Sequence, residues 1–260
     1  MSQALDTVLD TLGDVSIAVS GGIDSLTLAT IAVQRLGAGH AGIMHAVSPA
    51  VPPEATERVR MLADKEGWDL QLIDAGEFSD PDYIANSVNR CFFCKGNLYG
   101  AITARTTRQV LSGTNLDDLG EYRPGLDAAR NFSVRHPFVE AGIGKVDVRR
   151  LARAAGLGDL SELPASPCLS SRIETSIAID AGTLAAVHRI ETFLTQTISL
   201  KTVRCRIRRS GVVIELDPGS LHRTGDLSAV VSEMLPEAYQ GKPLTFEPYR
   251  NGSAFIGARP

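Results

Sequence analysis

Apolar positions in the first half of the chain fall into short runs separated by stretches with helical spacing. Residues 15–19 form an apolar run that ends at Ser20-Gly21-Gly22, and 23–36 then reads as a helix. Residues 41–47 give a second strand, 54–66 a helix and 69–73 a third strand. Residues 109–112 again run into a glycine turn, Gly113-Thr114-Asn115. Strands alternating with helices predict a parallel sheet covered on both faces. Ligands of such sheets sit beyond the carboxyl ends of the strands. The rhythm changes after 145–155, a helix stopped by Gly156. Residues 163–173 carry two prolines and a Ser-Pro-Cys and read as an ordered loop. A helix (181–195), a hairpin (202–207 and 212–216 around Ser210-Gly211), a helix near 227–235 and a strand near 244–249 complete the chain. The expected architecture is α/β, with a parallel-sheet domain over 1–165 and a smaller α+β domain over 166–260.

Composition narrows the function classes. A net charge of −4 argues against a dedicated nucleic-acid binder, which presents a broad basic face. The start, Met1-Ser2-Gln3-Ala4-Leu5-Asp6, lacks the basic-then-apolar pattern of a secretory signal. No apolar stretch reaches membrane-spanning length. The expected location is the cytoplasm, where four cysteines read as thiols, metal or cluster ligands, or catalysts rather than disulfides.

Ser20-Gly21-Gly22-Ile23-Asp24-Ser25 stands where a buried strand turns into a helix. Two adjacent glycines let the backbone approach an anion and expose N–H groups, and the helix N-terminus adds unpaired donors and partial positive charge. Ser20 and Ser25 offer hydroxyls to the same oxygens. A carboxylate such as Asp24 is repelled by phosphates unless it caps the helix or a divalent cation lies between them. A Gly-Gly turn with a serine cap is the plain alternative. The full hexapeptide resembles the SGGxDS loop of the PP-loop ATP pyrophosphatases, Rossmann-like enzymes that split ATP into AMP and pyrophosphate. It is not a Walker loop, because no Gly-Lys-Ser/Thr follows. Gly113-Thr114-Asn115-Leu116-Asp117-Asp118 supplies a second turn with an amide and two carboxylates, suited to a nucleotide edge or to Mg²⁺. An Asx turn capping a helix is its plain alternative.

The cysteines separate by context. Cys91-Phe92-Phe93-Cys94 fits half a zinc site, a redox dithiol, two ligands of an iron–sulfur cluster, or two small core residues. A closed four-cysteine zinc site would need Cys168 and Cys205 from distant segments. Cys168 lies in a stiff, polar, proline-rich segment beside Arg172, which suits a positioned nucleophile, with a buried structural thiol as the alternative. In Val203-Arg204-Cys205-Arg206-Ile207-Arg208, strand alternation puts Cys205 with Val203 and Ile207 on a core face. The three arginines then share the other face, as a ladder able to grip a phosphate or as a solvated surface.

Segments 20–25, 89–95, 113–118, 122–129, 145–157, 164–173 and 203–216 together resemble the LarE family of PP-loop sulfur transferases, which make the nickel-pincer nucleotide cofactor of lactate racemase. Ser166-Pro167-Cys168-Leu169-Ser170-Ser171-Arg172 is the most specific of them. The resemblance implies that ATP and Mg²⁺ serve to adenylate a carboxylate of a pyridinium dicarboxylate mononucleotide, after which sulfur displaces AMP. It implies nucleotide and phosphate contacts from Ser20, Gly21, Gly22, Ser25, Gly113, Asn115, Asp118, Arg123, Arg172, Arg204 and Arg206. It also implies divalent-cation contacts from Asp24, Glu191 and Glu215. In single-cysteine relatives the residue matching Cys168 surrenders its own sulfur. Relatives with three cysteines, matching Cys91, Cys94 and Cys168, hold a [4Fe-4S] cluster whose open iron carries an extra sulfide. This chain has all three, so the cluster route is the expectation, in a homo-oligomer that takes sulfur from an unidentified donor. Glu174-Thr175-Ser176-Ile177 stands where many relatives carry a Tyr-Gly turn. The competing readings are tRNA thiolation, which calls for a basic surface or further C-x-x-C pairs, amidation of a carboxylate, which has no need for Cys168, and a nucleotide-binding or redox module without turnover.

Overall fold

The computed structural model describes residues 2–120, 124–164, 166–225, 227–250 and 252–254. The chain divides into two compact units, Met1–Asp80 with Cys91–Ser166 and Pro81–Arg90 with Pro167–Pro260. Residues 81–90 thus group with the second unit although they fall inside the first 165 residues of the chain.

In the first unit, strands β1 (Val15–Ala18), β2 (Ala41–Ala46), β3 (Asp69–Ile73) and β4 (Gln109–Ser112) pair in the order β3-β2-β1-β4. Every pairing is parallel, with Ala18 opposite both Met44 and Ser112. Helices α1 (Ser2–Asp10), α2 (Ile23–Leu36) and α3 (Pro53–Glu66) precede a single turn, α4 (Pro81–Ile84), that belongs to the second unit. Then follow α5 (Arg90–Thr103), α6 (Pro124–Asn131), α7 (Pro137–Glu140) and α8 (Lys145–Ala154). Alternation along the strands sorts the core into two layers. Val15, Ile17, Ile43 and Leu111 pack with Leu5, Leu28, Val59, Phe138 and Val148 from α1, α2, α3, α7 and α8. Ala18, Met44, Ile73 and Val110 pack with Tyr99 and Ile102 of α5 and Ala129 of α6. Each fully buried leucine or isoleucine contributes about 1.5–3 kcal/mol, so the layers fix the strands and the strands fix the loops at their ends. The chain runs from β1 through β2 to β3 and returns to β4 on the opposite flank of β1. The loops after β1 and β4 therefore diverge around a topological switch point.

In the second unit, α9 (Ala181–Ile198) leads into an antiparallel hairpin of β5 (Val203–Arg208) and β6 (Gly211–Leu216). Helix α10 (Leu227–Met234) then leads to β7 (Leu244–Pro248), which pairs parallel with β6. Asp180 starts α9 by accepting a 2.7 Å hydrogen bond from the Thr183 N–H. Arg209-Ser210 form the two-residue turn, and Gly211 at φ 142° stands where a Cβ would lie 2.3 Å from the Pro243 carbonyl oxygen. The loop expected over 163–173 holds a 3-10 turn, Leu169–Arg172, closed by a bond from Ser171 N–H to the Cys168 carbonyl.

Candidate nucleotide and sulfur-transfer site

Burial of β1 carries the chain to Ser20-Gly21-Gly22 at the switch point, and Gly22 opens α2 without a side-chain cap. Gly21 takes φ 80°, and a Cβ there would lie 2.7 Å from the Ala55 carbonyl oxygen, so only glycine fits. Ser25 Oγ donates to the Gly22 carbonyl at 3.0 Å and accepts from the Ser20 N–H at 3.1 Å. The turn is thereby closed on itself with its serine hydroxyls gathered together.

Gly113 brings the loop after β4 against the start of α2: a Cβ there would lie 2.7 Å from Ser25 N and 2.8 Å from the Asp24 carbonyl carbon. Asn115 Oδ1 accepts from the Asp117 N–H, and Asp118 Oδ2 accepts from the Asn115 N–H, an Asx-type turn. Asp117 in turn accepts from the Lys145 N–H at the first turn of α8. Around Asp24 these elements do not balance. Burial, and then the charge of Asp118, push its carboxyl above the ordinary range. Lys145, Arg149 and the Asn115 amide pull it part of the way back. Among the described residues, buried Asp24 Oδ1 and buried Asn115 Nδ2 have no hydrogen-bond partner. The amide and the carboxylate act on one another, and both atoms remain open to a further partner.

Cys91 and Cys94 lie one turn apart on α5, both half-buried, and so share one face of the helix. Lys95 beside them packs against the start of α6, where a Cβ on Gly125 would lie 2.9 Å from Lys95 Cγ. On the other flank of β4, His136 Nδ1 lies 2.8 Å from Ser112 Oγ. Burial holds this imidazole below its usual value, with Lys95 adding to the shift against Glu140 and Asp118.

The second unit holds Cys168 on a fixed backbone with its side chain exposed. Buried Arg172 donates to the carbonyls of Pro167 and Cys168 at 2.8 and 3.2 Å, and Arg206 to that of Ser171 at 3.0 Å. Tyr83 and Ser170 share a 2.7 Å hydroxyl contact beneath the same turn. Arg172 makes a fork with Glu191, at 3.0 and 2.9 Å. Burial opposes its charge, but Glu191 raises its pKa on balance. Cys205 is fully buried and burial raises its pKa strongly, so it is an inert core thiol, as the alternation implied. The arginine face of β5 is covered rather than solvated. Arg206 and Arg208 both bind Glu215 at 2.9 Å, and Arg204 lies 5.8 Å from the centre of the Tyr249 ring. Both carboxylates expected beside a divalent cation, Glu191 and Glu215, are thus matched by guanidinium groups. Arg123 lies outside the described residues.

No protein-family model matches the chain. An uncharacterized protein of Synechocystis sp. is 36% identical over 211 residues, 80% of this chain and 78% of the relative. A second uncharacterized protein, from Methanocaldococcus jannaschii, is 28% identical over 84% of this chain and 81% of its own length. The pyridinium-3,5-bisthiocarboxylic acid mononucleotide synthase of Lactiplantibacillus plantarum is 29% identical over 82% of this chain and 78% of its own. The chain is thus similar over about four fifths of its length to a protein named as that synthase.

Several residues that shape these loops carry no motif. Arg58, on the second turn of α3, donates from Nη1 to the Gly21 carbonyl at 2.6 Å. His45, fully buried on β2, lies 2.8 Å from both the Val19 carbonyl and Thr56 Oγ1. A carbonyl only accepts, so Nδ1 carries the proton and Nε2 accepts from the threonine. Asn86 donates to the carbonyls of Glu174 and Ile177 at 2.9 and 2.8 Å, and its Oδ1 accepts from Arg90. In sequence, Arg58 reads as one more charge on a solvated helix face, and His45 as a polar residue in an apolar run. Their partners are supplied only by the folded chain.

Proposed function

We propose that the protein is an ATP-dependent sulfur transferase that adenylates a carboxylate of a pyridinium dicarboxylate mononucleotide and replaces its oxygen by sulfur. The observation that carries this reading is the pair of unpartnered buried atoms, Asp24 Oδ1 and Asn115 Nδ2, where the loops after β1 and β4 meet. The name of the Lactiplantibacillus relative supplies the substrate class.

In this reading the N–H groups of residues 21–25 and the Ser20 and Ser25 hydroxyls cradle the polyphosphate. The two carboxylates, Asp24 and Asp118, repel each other until a cation stands between them, which fits a Mg²⁺ held there. When bound, Mg²⁺ neutralises the charge that grows on the leaving pyrophosphate. The substrate carboxylate attacks the α-phosphorus and the bond to the β-phosphate breaks. Sulfide-level sulfur then attacks the activated carboxyl carbon, the bond to AMP breaks, and a thiocarboxylate remains; where the Cys168 thiolate attacks instead, a thioester forms and its Cβ–Sγ bond must break by loss of the α-proton, leaving dehydroalanine at position 168. Cys168, with its backbone held by Arg172 and Arg206, presents a thiol that need not reorganise. Cys91 and Cys94 share a helix face and are the two thiols the first unit offers to a [4Fe-4S] cluster, for which the family resemblance names Cys168 as the third ligand; when bound, the cluster would supply a renewable sulfur nucleophile. Arg204 and Arg206 serve the substrate phosphate, with Glu215 holding Arg206 and Glu191 holding Arg172 in place.

The test is anaerobic turnover with ATP and the dicarboxylate mononucleotide, following AMP, pyrophosphate and thiocarboxylate. Asp24→Ala is expected to stop AMP formation. Cys168→Ser is expected to keep adenylation and lose thiocarboxylate. Thiocarboxylate formed by Cys168→Ser would reject its assigned role, and wild-type protein that forms no AMP would reject the enzyme reading. Iron and acid-labile sulfide lost in Cys91→Ser support the cluster route; wild-type turnover limited to one sulfur per chain without iron supports sacrifice of Cys168.

A further inference from the structure

Arg58 reaches the phosphate loop from a side on which the motif has no residue. It stands on α3, which follows β2, whereas Lys145 and Arg149 act on Asp24 from α8, on the β4 side of β1. Its placement is fixed from several directions. Ala55, one turn earlier, leaves no room for a Cβ on Gly21, and His45 ties Thr56 of the same turn to the Val19 carbonyl. The guanidinium makes one hydrogen bond among the described residues, to the Gly21 carbonyl, which uses one of its five N–H donors.

That bond has two consequences. A loop carbonyl near a polyphosphate would repel it, and a guanidinium bound to that oxygen offsets the carbonyl's negative end. The remaining donors stay within one planar group of the loop, in the fork that matches phosphate oxygens. The group is half-buried, and burial lowers its pKa, with Glu54 opposing. A cation kept in such a place with most of its donors unspent has an anionic complement.

We propose that Arg58 is a catalytic residue of the nucleotide site, contacting the polyphosphate that leaves as pyrophosphate. The inference rests on the ATP-dependent reading above, and binding rather than turnover tests it. Dissociation constants for Mg·ATP and for AMP are measured on wild type, Arg58→Met and Arg58→Lys, with thermal melts to verify folding. Loss of a charge-assisted bidentate contact is expected to weaken ATP about 10- to 100-fold in Arg58→Met. AMP lacks the β- and γ-phosphates, so its affinity is expected to stay within about twofold of wild type, well inside the effect of one lost contact. Arg58→Lys keeps the charge without the fork and is expected to fall between; it carries the test alone if Arg58→Met does not fold. Equal losses for ATP and AMP would make Arg58 a brace of the loop only and overturn the inference, as would no loss for either. A wild type that binds no ATP overturns the functional reading and the inference together. A wild type that binds ATP but forms no AMP overturns the sulfur-transfer reading alone.

Discussion

At Asp24, one carboxyl oxygen is buried without a hydrogen-bond partner among the described residues, and its neighbour Asp118 repels it. A raised folded-state pKa means that ionised Asp24 opposes folding above that pKa. The penalty fades as pH falls through the folded-state value, and it is gone once the carboxyl is protonated in folded and unfolded chain alike. Asp24→Asn is therefore expected to raise the stability of the ligand-free protein by about 1 kcal/mol at pH 7. The same change should abolish AMP formation. Urea unfolding at pH 7 checks it, and a variant less stable than wild type would reject the idea that this carboxylate is held ready for a ligand. The tight turn before Asp24 and the ordered turn at Cys168 were legible in the sequence, because glycine and proline mark them. Arg58 and His45 were not, because what gives them meaning is a carbonyl 37 and 26 residues away in the chain.

Among elements, the segment after the Cys168 turn carries backbone strain at an informative place. Ser176 adopts φ 68°, a left-handed conformation that L side chains resist. It is held there by its own N–H, which donates to the Asn86 carbonyl at 2.9 Å, while Asn86 Nδ2 gathers the Glu174 and Ile177 carbonyls. Ser176→Gly removes the strain and keeps the backbone bond, so stability should rise by about 1 kcal/mol. Chemical denaturation decides it: an unchanged or lower midpoint would mean that the turn is not strained. The alternation of runs foretold the four parallel strands and the hairpin: β1, β2 and β4 are buried on both faces and leave a clear apolar trace, while β3, a largely exposed edge strand, is marked by its place after a helix. The grouping of residues 81–90 with the second unit left none. It rests on contacts far apart in sequence, among them the Asn86 side chain with the Ile177 carbonyl and the Ile179 N–H with the Ile84 carbonyl, which span about ninety residues.

For the molecule as a whole, the titrating groups divide by the direction in which acid moves them. Burial lowers the pKa of His45, with Arg60 adding to the effect against the Val19 hydrogen bond, and burial lowers that of His136. Each stays neutral in the folded chain at a pH where the unfolded chain already binds a proton. Their contribution is complete above the ordinary histidine value of about 6.5 and is lost as pH falls from there towards the folded-state values. Glu140 and Asp180, held low by Arg135 and by the Thr183 N–H, lose their contribution only at more acidic pH, below about 4.5. Asp24 works in the opposite sense. The loss of stability between pH 6.5 and 5 thus belongs mainly to two imidazoles. His45→Gln, which stays neutral throughout, should remove about half of that slope, a tenfold difference in proton affinity between folded and unfolded chain being worth about 1.4 kcal/mol. The slope rather than the absolute stability is the readout, since glutamine will not reproduce both hydrogen bonds. Urea unfolding of wild type and His45→Gln at pH 7, 6 and 5 measures it, and parallel profiles would show that His45 is not the proton site. Protonation leaves Nδ1–H donating to the Val19 carbonyl and turns Nε2 from acceptor to donor towards Thr56 Oγ1, so the cost in acid is that of a buried charge and not of a lost bond to the loop.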